Sequence, residues 1–99
     1  METHPLLSDR VRLSIMGVLA AAEQPVNFNE LVESLGLSKG NLSAHMKKLE
    51  EQNLVAVNKS FVDRKPRTTY LCTSAGRQAL NEYLEQVHKM LDSVTKEKK

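Results

Sequence analysis

Residues 39–67 concentrate the side chains that could bind a charged, hydrogen-bonding partner. Seven lysines and arginines lie there against three acidic residues, so the segment carries +4, although the net charge of the whole chain is +2. Lysine and arginine neutralise phosphates, and Asn and Ser side chains hydrogen-bond to base edges. Two Phe, two Tyr and no Trp are too few for a base-stacking platform. The segment therefore predicts binding to double-stranded rather than single-stranded nucleic acid.

The first group of candidate residues lies on a helix predicted from about Lys39 to Gln52. Leu42, Met46 and Leu49 recur at helical spacing and mark its inner face. The residues expected to point outward, as candidate DNA contacts, are Gly40, Asn41, Ser43, Ala44, Lys47 and Lys48. Their amide and hydroxyl groups could read base edges, the alanine methyl could contact thymine, and the lysines could neutralise phosphates or read guanine.

The second group lies in a basic hairpin. Residues 54–61 and 68–73 have the alternation and composition of two strands. Residues 62–67 are predicted as a polar turn, because Pro66 argues against a central ladder position. The cations of this turn are Arg64, Lys65 and Arg67. A charged tip can be merely a solvated turn, but the outward lysines of the preceding helix favour DNA contact for both.

Residues at both ends predict where the first helix begins and ends, and its apolar residues indicate what it packs against. Ser8 has the character of an N-cap for a helix over residues 8–22, with Asp9 in its first turn and Pro25 beyond its end. The apolar residues of this helix lie on two faces. It is therefore either the core helix or a helix held between its own domain and a partner.

A second helix is predicted after a short extended piece at Val26. Asn27 and Glu30 have the spacing of a capping box, Gly36 stops the helix, and Ser38 caps the next one. The buried stripe of this helix consists of Phe28, Leu31, Val32 and Leu35.

The last helix is predicted over residues 74–95, with Thr73 as its cap and residues 96–99 as a solvated tail. Its apolar residues alternate at spacings of four and three, which is typical of a coiled-coil seam. The helix could also pack back on its own domain, but its length favours self-association. The predicted dimer interface joins the first and last helices through Val11, Ile15, Val18, Leu80, Tyr83, Leu84, Val87, Met90, Leu91 and Val94.

The predicted fold is mainly α with a small β-hairpin, an α+β winged helix-turn-helix. Residues 1–99 are expected to form one domain, in which residues 26–73 hold the helix-turn-helix and wing. The stretches LVESLGLSKGNLSAHMKKLEEQNLVAV and DRKPRTTYLCTSAGRQAL resemble short winged-helix transcriptional regulators related to the MarR and ArsR groups. The resemblance covers about residues 26–80 by motif.

The resemblance implies a homodimer with the third helix in the major groove and the wing on the adjacent backbone or minor groove. It carries Lys39, Asn41, Ser43, His45, Lys47 and Lys48 onto the recognition helix, and Asp63, Arg64, Lys65 and Arg67 onto the wing. His45 stands at the edge of that helix, so it is either a DNA contact or a packing residue. The chain departs from the family in lacking the ArsR cysteine pair and the extra helices of MarR ligand pockets, and in having Asn53 where a glycine usually ends the helix.

Other chemistry is not expected. His4, His45, His88 and Cys72 have no metal-ligand spacing, so no metal or cofactor is predicted, and Cys72 is expected to be a buried small side chain rather than a redox switch. No nucleophile–base pair or paired carboxylate emerges, so the chain is not expected to be an enzyme.

These observations predict a homodimeric repressor that binds an inverted-repeat operator. The single cysteine, the absence of a leader and the absence of a run of about 18 apolar residues predict a cytoplasmic protein with no membrane partner. The alternative is a winged-helix adaptor that binds another protein and not DNA. Binding to random duplex at low salt would distinguish the two.

Overall fold

The chain folds into four helices and a three-stranded antiparallel sheet, as described for residues 4–97 by a computed structural model. The elements follow in the order α1 (Arg10–Ala21), β1 (Val26–Asn27), α2 (Phe28–Leu35), α3 (Lys39–Glu51), β2 (Val55–Val62), β3 (Lys65–Cys72) and α4 (Ser74–Glu97). The strand order is β1-β3-β2. The predicted α+β winged helix-turn-helix is confirmed.

Helix α1 is capped by Asp9 and not by Ser8, so the predicted cap is wrong. The Asp9 carboxylate accepts hydrogen bonds from the N–H groups of Val11 at 2.9 Å and Arg12 at 3.0 Å. The Ser8 hydroxyl is used in the preceding turn, where it donates to the carbonyl oxygen of Pro5 at 3.1 Å. The backbone N–H of Arg12 does most to hold the pKa of Asp9 below its usual value. The cap is therefore stronger when the carboxyl group of Asp9 is ionised.

Helix α1 is the core helix of the fold. It packs against α2, α3, β3 and α4, and it buries Ile15, Met16 and Leu19. Of the two interpretations of its apolar faces, the structure supports the first. Ile15 is 0% exposed within the chain's own core. The prediction that Ile15 lies at a dimer interface is therefore wrong.

The helix-turn-helix forms as its local signals predict. Asn27 and Glu30 make both bonds of a capping box, at 2.7 and 3.2 Å. Gly36 adopts the left-handed conformation with φ of 65°, which glycine accepts without a steric cost. The Ser38 hydroxyl accepts a hydrogen bond from the N–H of Asn41 at 3.1 Å and caps α3. The inner faces carry the predicted apolar residues, with Leu31 of α2 and Leu42, Met46 and Leu49 of α3 buried.

The hairpin is longer and its turn shorter than predicted. Only Asp63 and Arg64 separate the strands, and both have positive φ, at 52° and 65°, as a type I′ turn requires. Residues 62 and 65–67 belong to the strands, so the prediction of a loop over 62–67 is wrong. Pro66 pairs with Phe61 on β2, whereas β1 reaches β3 only at residues 69 and 70. Pro66 is tolerated because β3 has a strand on one side only at that point.

Helix α4 begins against the segment that follows α3. Thr73 accepts a hydrogen bond from the N–H of Gly76 at 2.8 Å and donates its own hydroxyl to the carbonyl oxygen of Asn53 at 2.7 Å. Its N–H also donates to the carbonyl oxygen of Leu54 at 3.1 Å. Asn53 has φ of 60°, which fits its predicted role in place of a glycine. These bonds fasten the start of α4 to the end of α3.

Helix α4 projects beyond the rest of the fold. Its 24 residues correspond to about 36 Å of helix, and the described chain measures 61 × 25 × 23 Å. The radius of gyration of 15.6 Å exceeds the roughly 13 Å of a compact chain of this size. The helix continues to Glu97, so residues 96 and 97 are not the predicted tail, and residues 98 and 99 lie outside the described residues. Between residues 4 and 97, no helix is both long and apolar enough to span a membrane.

The contact between α4 and the segment after α3 leads to a stability prediction. A Cβ atom added at Gly76 would overlap the carbonyl oxygen of Leu54 and lie 2.9 Å from the terminal methyl of Met16. We expect Gly76→Ala to lower the free energy of unfolding by about 1–3 kcal/mol. Thermal unfolding followed by circular dichroism should show a midpoint lower by roughly 4–8 °C for each kcal/mol of destabilisation.

Gly17→Ala is the matched control, because Gly17 lies inside α1 with nothing within 4 Å of the added carbon. This variant should be more stable than the wild type by about 0.5–1 kcal/mol. An unchanged midpoint for Gly76→Ala would show that the backbone moves to accommodate the methyl group without a loss in the free energy of unfolding.

Candidate nucleic-acid interface

The outward face of α3 is open to solvent along its length. The burial of Leu42, Met46 and Leu49 fixes the rotation of the helix about its axis. The candidate side chains on the other faces are all exposed, as predicted, and they are Lys39, Gly40, Asn41, Ser43, Ala44, Lys47 and Lys48. Glu50 and Glu51 follow at the C-terminal end of the helix and are exposed too. Because they would repel phosphates, the surface suited to DNA ends near Lys48.

His45 is turned toward α1 and is half-buried. Its Nδ1 atom lies 3.1 Å from Nη1 of Arg12, a residue 33 positions earlier in the chain. Of the two interpretations left open for His45, this contact supports the packing residue. Arg12 is absent from the candidates that the sequence suggests, because no local pattern pairs residues so far apart in the chain.

The hairpin presents its cations on more than one side. Lys65 and Arg67 are two residues apart on β3 and share one face of the strand, while Arg64 occupies the turn. All three are exposed, as is Lys59 on β2. The sequence predicted a loop for all three cations, whereas Lys65 and Arg67 are held in the register of a β-ladder.

A groove of about 440 Å³ separates the hairpin from the start of α2. Its walls include Asn27, Phe28 and Asn29 on one side and Lys65 and Arg67 on the other. The hairpin also exposes apolar side chains that were not singled out from the sequence, with Phe61 76% exposed and Val62 45%. The wing is therefore a mixed basic and apolar surface rather than a purely charged one.

The residues predicted for a dimer interface divide into three groups. Ile15 and Leu80 belong to the chain's own core, so the prediction that they lie at a dimer interface is wrong. Val11, Val18, Tyr83 and Val87 are half-buried. Leu84, Met90, Leu91 and Val94 on α4 are between 46% and 61% exposed. Ala79, Leu80 and Tyr83 lie in the core or pack against it, so the first turns of α4 pack back on the domain. Self-association stays a prediction for the later turns, which carry the exposed apolar residues.

Cys72 lies on β3 and is half-buried. Burial raises the pKa of its thiol, an effect that the positive charge of Arg77 partly opposes. A thiol held in its neutral form is a weak nucleophile, so the position suits packing better than redox chemistry. Within residues 4–97, no three His, Cys, Asp or Glu side chains are grouped to hold a metal ion.

The helix-turn-helix, the exposed polar face of α3 and the basic hairpin define a DNA-binding transcriptional regulator of the winged-helix class. Residues 11–91 match the family described as winged helix DNA-binding domain, and the chain belongs to that family. The predicted resemblance to MarR-like winged-helix regulators is confirmed at this level.

Several known proteins resemble the chain. An uncharacterized protein of Methanocaldococcus jannaschii is 38% identical over 77 residues, which are 78% of this chain and 83% of that protein. A transcriptional regulator homologue of Pyrococcus horikoshii has a TM-score of 0.83 and 31% identity, covering 90% of this chain and 87% of its own. A PadR family transcriptional regulator of Eggerthella lenta has a TM-score of 0.69 and 31% identity, covering 87% and 83%.

The PadR protein of Bacillus subtilis, solved in complex with operator DNA, has the same fold. It is 15% identical, with a TM-score of 0.67, and the match covers 77% of this chain and 48% of that one. At this identity the likeness concerns the fold alone.

The division between hairpin and helix candidates leads to a prediction on salt dependence. Replacing Arg64, Lys65 and Arg67 by alanine should weaken binding to matched and scrambled duplexes alike. The slope of log affinity against log salt should flatten by about 0.9 for each phosphate that these cations no longer neutralise. Asn41→Ala and Ser43→Ala should instead change the preference for the matched duplex.

Lys89→Ala serves as a charge control, because Lys89 is an exposed lysine on α4 whose Nζ lies 3.8 Å from a Glu85 carboxylate oxygen. It should leave the slope unchanged, whereas Arg67→Ala, which removes the same charge, should flatten it. If the hairpin and helix variants affect matched and scrambled duplexes in the same way, the assignment of these roles is wrong.

Proposed function

We propose that the protein is a homodimeric repressor that binds an inverted-repeat operator through α3 in the major groove. The hairpin would contact the adjacent backbone or minor groove. The observation that carries this proposal is the exposed, polar and basic face of α3, which has small residues for close approach and ends where Glu50 and Glu51 begin. An α-helix with such a face fits the width of the major groove.

The uncovered part of α4 supports the homodimer. Leu84, Met90, Leu91 and Val94 leave an apolar stripe exposed on a helix that projects from the core. A monomeric soluble protein rarely exposes such a stripe, and a second copy would cover it at spacings suited to helix–helix packing. Two copies related by a twofold axis would bind half-sites about 10–10.5 base pairs apart, centre to centre.

The proposal also covers the domain organisation of the protein and the compartment in which it acts. Residues 1–99 would act as one domain, because α1 joins every helix to the sheet in one core. A regulator of this kind acts in the compartment that holds DNA, and we therefore propose the cytoplasm. No cofactor and no catalytic role are assigned to the chain.

The decisive experiment for DNA binding is selection of genomic fragments by the purified protein, followed by sequencing and footprinting. The proposal predicts fragments that share an inverted repeat with the spacing given above, and protection of both half-sites. Failure to bind random duplex even at low salt would favour the adaptor instead.

The dimer is tested by mass in solution and by a matched pair of leucine variants. Light scattering should give twice the chain mass of 11.1 kDa for the wild type. Leu84→Glu should give the monomer, because a charge would be buried in the helix–helix contact. Leu71→Glu is the control, since Leu71 on β3 is 44% exposed and Leu84 46%, and it should remain a dimer. A wild-type monomer would exclude the proposed assembly.

A further inference from the structure

We infer that Arg12 is a positioning residue for the recognition helix, acting through a hydrogen bond that requires a neutral His45. The inference deepens the proposed function, because α3 is the helix assigned to the operator. Three contacts of the Arg12 guanidinium support it. Nε donates to the carbonyl oxygen of Leu6 at 2.9 Å, Nη1 lies 3.1 Å from His45 Nδ1, and Nη2 lies 3.9 Å from an Asp9 carboxylate oxygen.

The chemistry of the two groups determines which atom accepts. Arginine has only N–H donors and stays charged, so Nδ1 of His45 must be the acceptor. The imidazole is therefore neutral, with its proton on Nε2. A proton on Nδ1 would place two donors 3.1 Å apart, and in the doubly protonated imidazolium two positive charges as well. The contact thus exists in one protonation state of His45 only.

The charges around His45 act on its protonation in opposite directions. From α1 and its cap it faces Arg12 and Asp9, and the carboxylate of Asp9 is already engaged by backbone N–H groups. On α3 itself Asn41 and Lys48 lie one turn away on either side. A protonated His45 would therefore meet the Arg12 cation at the 3.1 Å contact, and the carboxylate of Asp9, whose pKa the charge of His45 also lowers, would attract it.

The link joins the rigid core to the surface that would read DNA. The side chain of Arg12 is only 11% exposed and stands on the core helix, while Leu7, next to its Leu6 partner, is 0% exposed. His45 is flanked on α3 by Ala44, one of the exposed candidates. Apolar contacts alone leave a helix free to shift slightly, and base-edge hydrogen bonds tolerate little displacement. Arg12 thus restrains the small residual shifts of α3 that its apolar packing still allows.

The sign of the pH dependence separates this role from direct contact. If His45 bound a phosphate, its protonation would add a positive charge and strengthen DNA binding at acid pH. If neutral His45 positions α3 through Arg12, acid pH breaks the link and weakens specific binding. The affinities are therefore compared from about pH 8 to about pH 5.5, the interval in which a histidine can gain its charge.

The experiment uses a duplex selected from random sequence by the wild-type protein at the alkaline end of this range, with a scrambled duplex for comparison. The measured quantity is the ratio of the two affinities at constant ionic strength. We expect this ratio to fall about tenfold in the wild type across the range, as for a hydrogen bond to a charged group. A ratio that is constant or rises would overturn the inference.

Two substitutions at His45 sharpen the test. His45→Asn keeps an acceptor close to the position of Nδ1, and its amide does not titrate. Its affinity ratio should therefore equal that of the wild type at alkaline pH and stay constant on acidification. His45→Leu keeps the bulk but removes the acceptor, so its ratio should be about tenfold lower at every pH. If the affinity ratio of His45→Asn falls with pH as that of the wild type does, another group causes the pH dependence and the inference is wrong.

Hydrogen exchange in the free protein tests the contact without DNA. Amides of α3 should become less protected on acidification over the same range in the wild type, and to a much smaller extent in His45→Asn. Both proteins retain His4, whose Nδ1 accepts a hydrogen bond from the N–H of Leu6 at 3.2 Å, so the difference between them isolates His45. An equal loss of α3 amide protection in the two proteins would show that protonation of His45 does not break a contact that holds α3. Failure to select any duplex would count against the proposed function alone.

Discussion

The fold depends on the close approach of α4 to the chain immediately after α3. Gly76 lies so near the Leu54 carbonyl that no other residue type fits without movement. Thr73 then uses its hydroxyl twice, as the cap of α4 and as a donor to Asn53. Asn53 tolerates the left-handed conformation better than most residues with a side chain, and its backbone is held by hydrogen bonds to Thr73 and Glu50.

This junction connects the two surfaces on which the proposed function rests. The exposed face of α3 is the candidate for DNA, and the uncovered turns of α4 are the candidate for a second copy. Since α4 is fastened to the residues after α3, the angle between two α4 helices in a dimer would determine the separation of two α3 helices. A ligand or partner that altered that angle would alter the distance between the half-sites.

The sequence predicted those features that depend on neighbouring residues. The Asn27–Glu30 box, the left-handed Gly36 and the Ser38 cap all follow from side-chain chemistry within four positions, and all are present. The hairpin ends were misplaced because Asp63-Arg64 is not one of the favoured dipeptides for a two-residue turn. Ser8 and Asp9 are equally good caps, and only the turn at residues 4–8 decides between them.

The remaining differences arise from tertiary packing. The pattern of α1 alone does not show which of its two apolar faces packs in the core, so Ile15 was assigned to the wrong face. The contact between Arg12 and His45 joins residues 33 positions apart, and no spacing rule reaches that far. The exposure of the α3 candidates was predicted correctly, because three buried residues are enough to fix the rotation of a helix, and their contact with DNA stays a prediction.

The open edge of β3 has a consequence for how the protein behaves in concentrated solution. Beyond residues 69 and 70, no strand of the described chain covers that edge of β3. Uncovered strand edges invite pairing with other molecules, and proline and charged side chains are the usual protection. Lys65, Pro66 and Arg67 occupy this stretch. The basic residues of the hairpin would therefore also keep neighbouring molecules from adding strands to the sheet, and so limit aggregation when no DNA is bound.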